Sequence, residues 1–133
     1  MDRDASCLAE LAALARARRL PLEALRTDLE TPHGIPVKPG SCGAILVFRF
    51  LSRPLARAIC DALAPGGLLI YETFTIHQRG LGYGPVNADF LLREGELRAA
   101  FAELEVLESW EGLSNADRPE ALARLSARKQ GST

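Results

Sequence analysis

Two places in the 133-residue chain put chemically useful side chains directly after an apolar run. The first is Arg49-Phe50, following Ala44-Ile45-Leu46-Val47-Phe48. The second is Tyr71-Glu72, closing Leu68-Leu69-Ile70-Tyr71 and leading into a loop that carries His77, Tyr83 and Asn87. A carboxylate or imidazole at such a position can take a proton from a substrate, and a guanidinium can hold an anion. Each also has a plainer role. Arg49 can reach water or pair with an acid such as Glu72, Glu72 can be that structural partner, and Asp28, further upstream, can serve simple turn chemistry. His33 and His77 lie in loops without a second ligand at metal spacing, so no metal site is expected and no catalytic residue is assigned.

The elements that must position these residues are read from periodicity. Ala44–Phe48 has the length and composition of a strand buried on both faces. Leu55, Ala58, Ile59, Ala62 and Leu63 form one apolar helical stripe, with Arg53, Arg57 and Asp61 facing away. Pro54 suits the first turn, and Pro65-Gly66-Gly67 stops the helix before the next strand. A strand, helix, strand unit of this kind predicts a parallel pair with a crossover helix, and ligands of such sheets bind outside the carboxyl ends of the strands. Here those ends are Phe48-Arg49-Phe50 and Glu72-Thr73-Phe74.

Around this unit, Asp4 is a candidate N-cap for a helix from about Ala5 to Arg18, with Leu8, Leu11, Ala12 and Ala15 inward and Glu10, Arg16 and Arg18 outward. Residues 22–27 read as a weak strand, and Thr31 to Ser41, rich in Pro and Gly, as a loop. Ile76 to Asp89 reads as a flexible, Gly-dense loop. Its Gly80-Leu81-Gly82-Tyr83-Gly84 has the G-x-G-x-G spacing of a glycine-rich cofactor turn but lacks the strand–turn–helix context. Glu94 to Phe101 predicts a short helix, and Leu104–Trp110 with Glu120–Arg128 a terminal hairpin across Ser114-Asn115-Asp117-Pro119, with Trp110 in its core.

The net charge of −1 gives no reason to expect nucleic acid or an anionic membrane as partner. Cys7, Cys42 and Cys60 are odd in number and share no CxxC spacing, which argues against a disulfide framework or zinc site and fits a reducing cytoplasm. No run approaches the roughly 18 apolar residues of a membrane span, and the acidic N-terminus does not suit a signal peptide. One α/β domain over residues 1–133 is expected.

MDRDASCLAEL, LRTDLE, GAILVFRFLSRPL, LAPGGLLIYETF and NADFLLREGEL, taken in that order, resemble the later part of a class I S-adenosylmethionine-dependent methyltransferase of the tellurite-resistance and thiopurine-methyltransferase-like kind. The resemblance implies a Rossmann-like sheet ending in an antiparallel pair, S-adenosylmethionine as cofactor and a small-molecule acceptor. It places Asp2 on the cofactor ribose and Asp28, with the Leu29 backbone, on the adenine. Arg49 and Phe50 fall beside the transferred methyl group, and Tyr71, Glu72, His77, Tyr83 and Asn87 on the substrate side. The family's first strand and glycine-rich turn have no counterpart before Asp2, for which a mis-set gene start is one expected explanation. Without them Ala44–Phe48 should show a bare edge, or strand 22–27 should dock there. Self-association through that edge, an inactive methyltransferase fragment and a non-catalytic interaction module are the alternatives this departure raises.

Overall fold

In the computed structural model, residues 5–18 and 35–131 are described. The chain divides into two units, residues 1–36 and 37–133. In the first, α1 runs over Ala5–Ala17, close to the expected span, with Glu10, Arg16 and Arg18 exposed. The Asp4 cap and the strand expected at 22–27 lie outside the described residues.

The second unit contains a four-stranded sheet, β1 (Cys42–Phe48), β2 (Leu63–Phe74), β3 (Glu105–Leu113) and β4 (Ala121–Arg128), in the order β1-β2-β4-β3. The first pair is parallel, with Ala44 opposite Leu68 and Phe48 opposite Glu72. β4 inserts antiparallel between β2 and β3, so the expected hairpin joins the sheet through its second strand. Its turn is closed from both sides, the Ser114 N–H donating to the Glu120 carbonyl and the Glu120 N–H to Ser114 Oγ, each at 2.9 Å.

The crossover begins as a 3-10 turn, Arg53–Leu55, with Pro54 in its first turn, and continues as α2 (Ala56–Ala62). Most of the expected stripe is inside: Leu55, Ile59, Ala62 and Leu63 are buried and Ala58 half-buried, while Arg57 and Asp61 face out and pair at 3.3 Å. Lys129 Nζ caps the end of α2 by donating to the carbonyls of Cys60 and Leu63 at 2.8 and 2.9 Å, where a cation also meets the negative end of the helix. Strand β2 starts earlier than expected, at Leu63, because Pro65-Gly66-Gly67 is held between neighbours rather than left as a loop. The Gly66 N–H donates to the Lys129 carbonyl at 2.8 Å and the Lys129 N–H to the Gly67 carbonyl at 2.9 Å, and a Cβ at Gly67 would lie 2.8 Å from the Ala64 carbonyl oxygen and 3.0 Å from that of Cys42. The side chain of Cys60 is a buried filler, and burial, followed by the nearby Glu103, pushes its thiol up to about 12.

One face of the sheet is covered. Leu69, Tyr71 and Thr73 of β2 and Ala123, Leu125 and Ala127 of β4 are buried, as are Ile59 of α2 and Leu97 of α3 (Glu96–Ala100), and Tyr71 meets Phe101 with ring centroids 5.7 Å apart. On the opposite face, among the described residues, Leu68, Ile70, Glu72 and Phe74 of β2 are half-buried and the side chains of β1 are more exposed. Leu46 and Phe48 are 59% and 53% exposed, which corrects the expectation of a strand buried on both sides. Among the described residues β1 is the outer strand, and the helices of this unit pack against β2 and β4. A continuous apolar run reads identically whether or not something covers it. Trp110 is likewise 41% exposed rather than core, its ring lying under the Arg124 guanidinium at 4.8 Å. No helix among the described residues is long and apolar enough to cross a membrane.

Candidate functional site

Strands β1 and β2 end side by side, and the chain leaves β1 through a sharp bend. Arg49 has φ 53°, the single non-glycine residue in the left-handed region among those described, and its N–H donates to the Glu72 carbonyl at 2.9 Å. Its guanidinium goes across the sheet end to Glu120, forming a two-pronged pair with one arm at 2.8 Å, and lies 5.1 Å from the centre of the Phe74 ring. The pair raises the Arg49 pKa and holds the Glu120 carboxyl below the usual carboxylate range, in each case chiefly through the hydrogen bond between them. Glu72, the partner considered for Arg49, instead accepts from Arg124 Nε at 2.7 Å. Arg49, Glu72, Phe74 and Glu120 are thus brought to one place.

The other expected residues separate. Tyr71 points into the covered face; burial raises its pKa, and its hydroxyl donates to the Phe50 carbonyl at 2.7 Å, which fixes the backbone just past β1. His77 Nε2 meets Glu94 Oε1 at 2.9 Å beside a cleft of about 330 Å³ that Thr75, Glu111, Gly112, Leu113 and Ala121 also line. Asn87 caps a 3-10 turn, Ala88–Phe90, by accepting from the Asp89 N–H at 3.0 Å. A second hollow, about 320 Å³ between α2 and α3, is walled by Leu51, Ile59, Leu97 and Phe101, with the Arg53–Glu96 pair at its rim. Its lining is largely apolar and belongs to the covered face. Asp2, Asp28 and Leu29 lie outside the described residues, as does His33.

Residues 76–89 are more ordered than the glycine content predicts. Ile76–Leu81 forms a 3-10 helix, and Gln78, fully buried, accepts the Ala121 N–H at 2.8 Å and donates to the Tyr83 carbonyl at 2.7 Å. Gly84, at φ 79°, leaves room for that amide: a Cβ would fall 2.9 Å from Gln78 Nε2. The Tyr83 hydroxyl donates to the Pro119 carbonyl, and Arg118 stacks on the Tyr83 ring at 4.0 Å. Gly80 to Gly84 does not open a helix, as its context indicated. Gln78 and Glu120 were missed by sequence reasoning because a lone glutamine in a polar spacer and a glutamate at a hairpin start carry no pattern.

No profile of a known protein family and no curated protein sequence matches the chain. Solved structures do. TehB from Haemophilus influenzae superposes with a TM-score of 0.69 over 96% of this chain and 48% of its own, at 14% identity. The fold is that of the S-adenosylmethionine-dependent methyltransferases. A methyltransferase from Methanosarcina mazei aligns at 0.64 over 98% of this chain and 81% of its own, with 13% identity. The [4+2]-cyclase SpnF aligns at 0.68 over 98% of this chain and 64% of its own, with 16% identity. The chain therefore spans about half to two-thirds of the length of TehB and SpnF. In the methyltransferase fold seen here, Arg49 and Glu72 stand at the carboxyl ends of the parallel strands.

Proposed function

We propose that this protein transfers a methyl group from S-adenosylmethionine to a small-molecule acceptor in the cytoplasm. The observation that carries the reading is the superposition of nearly the whole chain on methyltransferase structures. The described sheet end suits a cofactor with a sulfonium centre. Arg49 and Arg124 are each neutralised there by an acid, Glu120 and Glu72, so neither brings an unpaired cation against the sulfonium, and the Phe74 ring lies beside the Arg49 guanidinium. Asp2 is assigned to the cofactor ribose, Asp28 and Leu29 to the adenine, and Phe50 with the Arg49 backbone to the methyl-bearing end. The bound cofactor supplies the activated methyl group, and the protein's part is to align the acceptor for in-line displacement. Tyr71 holds the Phe50 backbone, and His77 with Glu94 offers a proton acceptor at the neighbouring cleft.

The test is S-adenosylmethionine binding by isothermal calorimetry to the chain and to Asp28→Ala, with folding of both checked by circular dichroism. Micromolar binding that the substitution removes supports the reading; a folded chain that binds none overturns it. The exposed Leu46 and Phe48 favour a second reading, a non-catalytic module that completes its sheet with a second copy. Sedimentation equilibrium separates the two: a dimer dissolved by Leu46→Lys supports the module, and a monomer at all concentrations sinks it.

A further inference from the structure

Four residues leading into β4, 118–121, are tied to three other parts of the unit. Glu120 holds Arg49 at the end of β1, Ala121 exchanges hydrogen bonds with Gln78 and Thr75, and Arg118-Pro119 clasps Tyr83 by stacking and by the tyrosine hydroxyl. Arg49 adopts φ 53°, which a glycine would accept without the steric cost that a Cβ incurs there. Glycine would make the bend; what arginine adds is a guanidinium delivered to Glu120. The two side chains are separated by 71 residues, and their two-pronged geometry fixes orientation as well as distance.

We propose that Arg49 is a positioning residue that acts through Glu120 to hold segment 118–121, and through it the 76–87 loop, at the carboxyl end of the parallel strands. On the methyl-transfer reading, on which this role rests, that loop is the wall of the acceptor site. The pair connects the bend after β1 to the acceptor wall without either residue touching the acceptor.

The experiment is amide hydrogen exchange by mass spectrometry on Arg49→Ala, the near-isosteric Glu120→Gln, and the reversed pair Arg49→Glu with Glu120→Arg. Exchange of peptides spanning 76–87 should rise about fivefold or more in both single variants, with peptides from the β2–β4 centre unchanged. The reversed pair should return the loop to within about twofold of the parent, a rescue that loss of packing alone would not give. A loop unchanged in both single variants overturns the proposal. So does a uniform rise across the sheet, or failure of the reversed pair to restore protection. Calorimetry on the unaltered chain tests the methyl-transfer reading separately, so that a protected loop in a chain that binds no cofactor identifies which of the two has failed.

Discussion

Gln78 is the residue whose replacement the structure makes most informative, because its amide is fully buried and both ends are used. Its orientation is fixed by its partners: the Ala121 N–H requires the oxygen and the Tyr83 carbonyl requires the NH₂. Gln78→Leu keeps the length but orphans a buried N–H, at about 1–3 kcal/mol, and a half-buried carbonyl at somewhat less, against a gain from burying a more apolar group. A net loss of about 2–3 kcal/mol is expected. Gln78→Glu is sharper. Its carboxyl can serve Ala121 as before, but the second oxygen would face the Tyr83 carbonyl at a spacing of 2.7 Å, which only a protonated acid can bridge. The folded-state pKa is therefore raised above the unfolded value of about 4.3. For an acid shifted upward, the fold binds the extra proton, so stability is intact below the unfolded pKa and falls as pH rises towards the folded pKa, by about 1.4 kcal/mol per unit. Urea unfolding should place Gln78→Glu near the parent at pH 4 and about 3 kcal/mol below it at pH 7, while Gln78→Leu loses the same amount at both. A leucine variant within 0.5 kcal/mol of the parent, on the scale of ~0.5 kcal/mol for neutral surface changes, or a glutamate variant that tracks the parent with pH, would refute the reasoning.

Acid stability should depend on Glu96. Hydrogen bonds from Arg53, and then from the Arg93 backbone, bring its carboxyl down to about 2. A depressed acid stabilises the fold above its unfolded pKa and loses that contribution as pH falls through the folded value, so the window runs from about pH 4.5 down to about 2. With Arg53 37% exposed, screening reduces the expected contribution to about 1–2 kcal/mol, and Glu96→Gln should flatten an acid titration followed by circular dichroism across that window. Gly67→Ala would press a methyl group onto two backbone carbonyls that cannot swing away, and should lower stability by about 1–3 kcal/mol in urea. A melting curve unchanged by that substitution would mean that the Cys42–Leu63 end of the sheet is looser than its geometry shows.

Much of the local structure was legible in the sequence. The α2 stripe, Pro54 at its start, the alternation of the last two strands and the polar turn between them are governed by neighbours three or four residues away, or two in a strand, and those neighbours are printed in order. The sequence resemblance also pointed to the methyltransferase fold that the superpositions show. What the chain could not disclose is pairing across distance. Arg49 had acids at many separations to choose from, and the sheet order that brings β4 beside β2 selects Glu120 for it and Arg124 for Glu72. Gln78 looks like spacer until Ala121 and Tyr83 arrive on either side of it. Burial is similarly undecided by composition, since Leu46, Phe48 and Trp110 are as apolar as Leu69 and Phe101 yet are exposed. Short-range periodicity sets which face of an element is apolar, whereas only the assembled sheet decides whether anything packs against that face, because packing is a property of two surfaces and the sequence lists them one at a time.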